Sequence, residues 1–131
     1  MPALNFQAQF ATLVESGQKA QTIRAPRKDG RDPKRGDTLH LFTGMRTKAC
    51  RRLGRAVCSH TYPVEIRRDV IVLLPPIGDV YRGGTWKADD FARKDGFADF
   101  DEMRDWFERT HGLPFTGRVI RWELLEGDNG T

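Results

Sequence analysis

A lysine, a threonine and an arginine lie close together near the start of the chain, in the segment Gly17-Gln-Lys-Ala-Gln-Thr-Ile-Arg24. A lysine carries a charge, or acts as a base when burial lowers its pKa. A threonine hydroxyl can attack an electrophile or form hydrogen bonds, and an arginine presents a rigid fork to carboxylate or phosphate oxygens. We therefore expect Lys19, Thr22 and Arg24 to form a small active site or a phosphate-binding site.

This chemistry imposes a geometric condition on the segment. Lys19 and Thr22 are three positions apart, so on an unbroken strand their side chains would point to opposite faces. A threonine hydroxyl also needs a base, and a lysine with an ordinary pKa of about 10.4 is protonated unless burial or a nearby cation such as Arg24 lowers that pKa. Catalysis therefore requires a turn or bulge between Lys19 and Thr22.

Basic residues are concentrated in one part of the chain. Residues 19–55 contain twelve Lys or Arg against three Asp, whereas residues 88–131 contain eleven acidic residues against six basic ones. Such clustering favours an anionic partner, with nucleic acid the first candidate, although a solvated surface balanced by the acidic half remains the alternative. The candidate RNA-binding residues are Arg27, Lys28, Arg31, Lys34, Arg35, Arg46, Lys48, Arg51 and Arg52.

The elements that must position these residues follow from periodicity and turn residues. Apolar residues at helical spacing from Phe6 to Val14 predict a first helix of about ten residues that ends at Gly17 as its C-cap. The segments that follow are predicted to be extended over 21–24, loop over 26–36, and strand over 37–43, 55–59 and 64–74.

The C-terminal third reads as two helices and a strand. Apolar spacing predicts helices over 87–96 and 99–110, and Asp99 with Glu102 predicts a capping box at the start of the second helix. A strand over 115–125 and a flexible tail over 126–131 complete the chain. This order of elements predicts an α+β fold around a small, strongly bent sheet or barrel.

The aromatic residues divide into a core set and one exception. Five of them recur at core-like spacing and are predicted to be buried, namely Phe91, Phe100, Trp106, Phe107 and Trp122. Trp86 follows two glycines and is instead a candidate to stack on a base in the substrate-binding site.

Length and composition limit the class of protein. The 131 residues suit a single domain over 1–131, and no apolar run approaches the roughly 20 residues of a membrane span. The first residues lack a secretory signal, so we expect a cytoplasmic protein. Cys50 and Cys58 are expected to be free thiols. His40, His60 and His111 show no metal-ligand spacing, so we expect neither a metal nor a cofactor.

Four segments in order resemble the ASCH domain family. They are Gly17-x-Lys19-x-x-Thr22-x-Arg24, Gly36-Asp37-Thr-Leu, Ala92-x-x-Asp95-Gly96-Phe97 with the acidic, aromatic helix that follows, and Phe115-x-Gly117-x-x-Ile120-x-Trp122. The resemblance covers nearly the whole chain. It implies a PUA-like small β-barrel with flanking helices, in a superfamily associated with recognition of RNA and modified bases.

Within that family the chain is similar to small amidohydrolases that deacetylate N4-acetylcytidine. The resemblance implies catalytic roles for Lys19, Thr22 and Asp95, with Asp95 standing where those enzymes carry a glutamate. Two other functions fit the same resemblance. One is an RNA-binding module without catalysis, and the other is a ribonuclease that would use His40, His111 or a metal held by Asp residues.

Overall fold

The structure is a computed structural model that describes residues 2–127, which form a mixed seven-stranded sheet and three α-helices. The strands are β1 (Ala3–Phe6), β2 (Gln21–Arg24), β3 (Thr38–Thr43), β4 (Arg51–Ile66), β5 (Val70–Leu73), β6 (Val80–Arg82) and β7 (Phe115–Gly127). The helices are α1 (Ala11–Ser16), α2 (Trp86–Lys94) and α3 (Phe100–Thr110), and a short 3-10 helix, Ala8–Phe10, precedes α1. The predicted α+β class is confirmed.

Two long antiparallel strands, β4 and β7, form the centre of the sheet. They pair from Gly54 with Gly127 to Ile66 with Phe115. On the other side of β4, β3 pairs with the first part of the strand and β5 with the last part. β1 runs parallel to β3, β6 pairs with β5, and β2 pairs with β7. The sheet therefore branches at β4, which has three neighbouring strands, and its edge strands are β1, β2 and β6.

The sheet is not closed into the predicted barrel. Within residues 2–127, β1 pairs only with β3 and β2 only with β7, so no backbone ladder joins β1 to β2. We call the boundary between β1 and β2 the seam, and two arginine side chains span it. Arg24 Nη2 donates to the Asn5 carbonyl at 2.6 Å, and Arg27 Nη2 donates to the Ala3 carbonyl at 3.1 Å.

The first predicted helix is only partly correct. Phe6 ends strand β1 rather than starting a helix, and the α-helix begins at Ala11. The predicted C-cap is confirmed, because Gly17 adopts a left-handed conformation with φ of 86° and its N–H donates to the Val14 carbonyl. Strand β2 has the predicted bounds, and β3 begins one residue later than predicted.

The later elements differ mainly in length. The two strands predicted over 55–59 and 64–74 are replaced by the continuous strand β4 and the separate strand β5. Both C-terminal helices are present, and the Asp99 carboxylate accepts from the Glu102 N–H at 2.9 Å as predicted. The Glu102 carboxylate accepts from the Ala98 N–H rather than from that of Asp99, so the capping box is displaced by one residue.

The hydrophobic core lies between the sheet and the helices. Four of the five aromatic residues predicted to be in the core are buried, namely Phe91, Phe100, Phe107 and Trp122. The fifth, Trp106, is only partly buried and packs against the edge of the core. Its position matters because it also lines a cavity.

Cys50 and Cys58 are both free, as predicted. In the described part of the chain no helix has the length and apolar character needed to cross a membrane. The tail predicted over 126–131 lies outside the described residues from position 128 onward, and its first two residues pair in β7.

Candidate active site

A cavity of about 280 Å³ opens beside β2 and contains four of the predicted site residues. Lys19, Thr22 and Arg24 come from the segment that follows α1, and Asp95 comes from the end of α2. The remaining walls are largely aromatic and apolar, formed by Phe6, Phe10, Ile23, Phe97, Trp106, Phe107 and Phe115. The structure thus brings the polar groups together in a largely apolar concave site.

The chain turns before β2, which meets the geometric condition set by the sequence. Gly17 reverses the helix exit, and the Lys19 N–H donates to the Leu13 carbonyl at 2.9 Å. The Ala20 N–H then donates to the Lys94 carbonyl at 2.8 Å, which ties this turn to the end of α2. Lys19 therefore lies outside the regular strand, next to Asp95.

Lys19 and Asp95 form a buried pair, each with about 3% of its surface exposed. Lys19 Nζ donates to the main-chain carbonyl of Asp95 at 2.5 Å and lies 3.5 Å from Asp95 Oδ1. In the described part of the chain no group donates a hydrogen bond to this buried Oδ1. One carboxylate oxygen is thus held by the nearby charge of Lys19, and Asp95 is among the residues that line the cavity.

Gly96 allows the close approach of the lysine to the end of α2. Its φ of 94° favours glycine, and a Cβ at this position would lie 3.1 Å from Lys19 Cδ. The Asp95-Gly96 sequence therefore has a packing role as well as a chemical one.

Burial moves the pKa values of both partners toward neutrality. Desolvation lowers the pKa of Lys19, and the charge of Asp95 opposes that change. Desolvation raises the pKa of Asp95 from 3.8 to about 6, against the opposing charges of Lys19 and Arg24. Burial also lowers the pKa of Arg24 to about 10. A lysine that deprotonates more readily beside a carboxyl that titrates near neutral pH suits proton transfer.

The Arg24 side chain contacts the Thr22 hydroxyl, the carbonyl of Asn5 in β1 and the ring of Phe6. Its Nε donates to Thr22 Oγ1 at 3.4 Å, and its Cζ lies 4.9 Å from the centroid of the Phe6 ring. Lys19 Nζ lies 4.9 Å from the Phe10 ring centroid. Both cations therefore rest on aromatic faces, which keeps their positions fixed in a partly apolar site.

Gln21 is a buried polar residue that sequence reasoning missed. Its Nε2 donates to the Phe91 carbonyl at 3.4 Å, and its Oε1 accepts from Arg121 Nη2 at 3.2 Å. Arg121 Nη2 also donates to the Tyr62 hydroxyl at 3.3 Å. The Gln21 side chain acts on the Asp95 carboxyl as well, where it opposes the rise in pKa. A glutamine between the motif residues Lys19 and Thr22 was the available signal in the sequence.

The aromatic lining was likewise not assigned to the site from the sequence. Phe6 and Phe10 read as one face of a helix, and Trp106 read as core. His111, which is exposed, stacks on Phe115 with 4.6 Å between ring centroids and lines the cavity. His40 and His60 do not line it.

Trp86, which was expected in the same substrate site, does not line this cavity. Its side chain is 72% exposed and lines a separate cleft with Tyr81, Lys87 and Arg121. The cleft and the cavity have no lining residue in common.

The predicted RNA-binding residues lie on more than one surface. Arg27 reaches Ala3 in β1, and the Met45 N–H donates to Asn5 Oδ1, which places the loop of Arg46 and Lys48 near Asn5, a residue of the cavity wall. Arg35 instead lines a groove elsewhere, and Arg51 is paired with Glu15 at 2.8 Å. Of the others, Lys28, Arg31 and Lys34 are exposed and Arg52 is partly buried.

Among residues 2–127, no group of three or more His, Cys, Asp or Glu side chains is arranged to hold a metal ion. Comparison of the chain with models of known families, with curated proteins and with solved structures finds no significant match.

Proposed function

We propose that this protein is an ASCH-type, PUA-like domain that hydrolyses an N-acyl group from a cytidine-type nucleoside in the cavity beside β2. One observation carries the proposal. A single cavity gathers Lys19, Thr22, Arg24 and the distant Asp95, with the lysine and the aspartate buried against each other. In this proposal the seam between β1 and β2 is an opened form of the barrel typical of the superfamily.

The shape and lining of the cavity suit a flat, polar ring. A volume of about 280 Å³ lies at the small end of ligand pockets, which run from roughly 300 to 1,000 Å³. Aromatic side chains such as Phe10, Phe97 and Trp106 offer faces or edges to a base, and Thr22 and Arg24 offer polar contacts to its heteroatoms. The ligand that fits this site is therefore a nucleoside or a single splayed base.

The proposed chemistry is hydrolysis of an exocyclic amide. The deprotonated form of Lys19, which burial favours, removes a proton from a water molecule or from Thr22 Oγ1, and the oxygen attacks the acyl carbon. Arg24 balances the negative charge that develops on the acyl oxygen. The bond from the acyl carbon to the exocyclic nitrogen then breaks, and that nitrogen takes a proton from Lys19 or Asp95. If Thr22 is the nucleophile, water then cleaves its ester, so the products are the free amine and a carboxylate.

The test measures release of cytidine and acetate from N4-acetylcytidine. The isosteric variants Thr22→Val and Asp95→Asn should each lower kcat by about 100-fold or more. Lys28→Met removes an exposed lysine and should leave kcat unchanged. A thermal melting curve, monitored by circular dichroism, checks that each variant is folded. Unchanged turnover in folded Thr22→Val and Asp95→Asn, or no turnover by the wild-type protein, contradicts the proposal.

A second candidate function is an RNA-binding module that holds one base in the same cavity without chemistry. The cations near β1 favour it, because Arg27 and the loop of Arg46 and Lys48 can contact the phosphates that flank a base in the cavity. RNA affinity should then fall steeply with added salt and should weaken in Arg27→Gln and Lys48→Gln. Arg67→Gln, which removes an exposed arginine paired with Glu65, is the matched control. Binding that does not depend on salt excludes this function.

The ribonuclease alternative rests on His111, which lines the cavity. A labelled oligoribonucleotide incubated with and without magnesium tests it. An intact oligonucleotide excludes cleavage, whereas cleavage that disappears in His111→Asn supports it.

A further inference from the structure

A second cleft, of about 290 Å³, lies between β4, β6 and α2. Its aromatic residues are Tyr62, Tyr81, Trp86 and Phe91, and its charged residues are Lys87, Asp90, Lys94 and Arg121. The Trp86 indole is 72% exposed, and Ile77 and Val80 nearby in the chain are also more than 40% exposed. Exposed apolar side chains gathered around a concave site indicate a surface that is covered by a ligand.

The cleft has a net positive charge, and one of its cations, Lys87, lies over two aromatic rings. Lys87 Nζ lies 6.0 Å from the ring centroids of both Tyr81 and Trp86. Lys94 is paired with Asp90 at 3.2 Å, so the charges of Lys87 and Arg121 are in excess. A positive site with exposed aromatic faces suits a flat ring that carries an anionic group.

Arg121 forms the polar part of the cleft wall. Its Nη2 is fixed by Gln21 Oε1 and the Tyr62 hydroxyl, whereas its Nε is buried and donates to no group in the described part of the chain. Arg121 as a whole is only partly buried, and its unpaired Nε is unfavourable unless a ligand or water completes the hydrogen bonds of the guanidinium. An anionic oxygen is the partner that a guanidinium binds most strongly.

The cleft continues into a neighbouring groove of about 430 Å³. The two share His60, Tyr62 and Ile77, and the groove adds two further cations, Arg35 and Arg118. Positive charge therefore extends beyond the cleft in one direction, as expected for a path along a phosphate backbone.

We propose that this cleft is a nucleotide-binding site separate from the cavity beside β2, in which a base stacks on Trp86 and its phosphate binds Arg121 and Lys87. The shared chemistry is that of a nucleobase with an attached phosphate, supplied either by a free mononucleotide or by an RNA strand. The site needs no reaction in the cavity and does not depend on the proposed hydrolase activity.

Calorimetric titration of the full chain with adenosine 5′-monophosphate and with a four-nucleotide oligoribonucleotide tests the site. Trp86→Ala should weaken binding of either probe by about tenfold or more, the usual effect of removing a stacking platform. Leu125→Ala, which removes another exposed apolar side chain, is the matched control and should not change the affinity. Lys87→Gln should weaken binding, with Arg67→Gln, which removes an exposed cation outside the cleft, as its control.

The two probes distinguish the sources of the ligand. If the two probes bind with equal affinity and Arg35→Gln does not change it, the natural ligand is a free nucleotide. If the oligonucleotide binds more tightly and Arg35→Gln weakens its binding, the natural ligand is an RNA strand. No saturable binding of either probe, or binding that survives in Trp86→Ala, overturns the proposal. Hydrolysis of N4-acetylcytidine is measured separately. If the probes bind in a Trp86-dependent way but N4-acetylcytidine is not hydrolysed, only the hydrolase proposal fails. If N4-acetylcytidine is hydrolysed but no Trp86-dependent binding is seen, only the proposal for this cleft fails.

Discussion

Removing Lys19 should make the stability of the protein depend strongly on pH above neutrality. Lys19→Met preserves the apolar stem of the side chain and leaves the Asp95 carboxyl buried without its cation. Desolvation already raises the pKa of Asp95 to about 6 with Lys19 present, and the charge of Lys19 opposes that rise. Loss of Lys19 therefore raises this pKa further.

The magnitude follows from the difference in pKa between the folded and unfolded chains. A carboxyl whose pKa is raised by folding stabilises the fold fully below its unfolded pKa, and this contribution is lost as pH rises through the folded pKa. For wild-type Asp95, the rise from 3.8 to about 6 corresponds to about 3 kcal/mol, at about 1.4 kcal/mol per pH unit. In Lys19→Met the loss should continue above pH 6 at the same rate.

The double variant Lys19→Met/Asp95→Asn isolates this contribution, because an amide of the same shape does not titrate. The free energies of unfolding of the single and double variants, measured by urea denaturation, should diverge by about 1.4 kcal/mol per pH unit from about pH 5 to about pH 8. The double variant should be the more stable of the two, since a neutral pair avoids an uncompensated buried charge.

The exposed pair Lys94 and Asp90 supplies the matched control. Their side chains are 44% and 48% exposed, so Lys94→Met and Lys94→Met/Asp90→Asn should differ by less than about 1 kcal/mol at any pH tested. Parallel pH profiles for the two Lys19 variants would refute the reasoning, because they would show that Asp95 is solvated when Lys19 is absent.

Three further substitutions test the surroundings of the site. Gly96→Ala should lower the free energy of unfolding by about 2 kcal/mol, because the φ of 94° is strained for alanine and the added Cβ meets Lys19 Cδ. Denaturant titration of the variant and the wild type measures this difference in free energy. Asp99→Ala should cost about 1 kcal/mol through loss of the cap on the Glu102 N–H, seen as a lower Tm. Gln21→Leu should cost about 1–3 kcal/mol, because it leaves buried partners unpaired, and a stability equal to wild type would contradict the role given to this residue.

Elements with local signals were predictable from the sequence. Gly17 ends α1 because a left-handed C-cap favours glycine, and β2 and the two C-terminal helices follow from short patterns of apolar residues and caps. Strand β1 was not predictable in this way. It pairs in parallel with β3, more than thirty residues away, and the spacing of Phe6 and Phe10 imitates a helix.

The site residues were likewise predictable only where a local pattern or the family resemblance marked them. Residue type and spacing indicated Lys19, Thr22 and Arg24, and the resemblance to the ASCH family added Asp95, which the structure places in the same cavity. The separation of Trp86 from this cavity was not predictable, since its position depends on how α2 packs against the sheet and no local pattern reports that packing.

The seam between β1 and β2 also bears on self-association. The carbonyls of Ala3 and Asn5 point away from β3, toward the free edge of β1, and are occupied by the guanidinium groups of Arg27 and Arg24. A strand from a second molecule would have to displace two charged donors before it could pair there. Arg24, which lines the cavity, and Arg27 therefore hinder intermolecular β-pairing at the unpaired edge of β1.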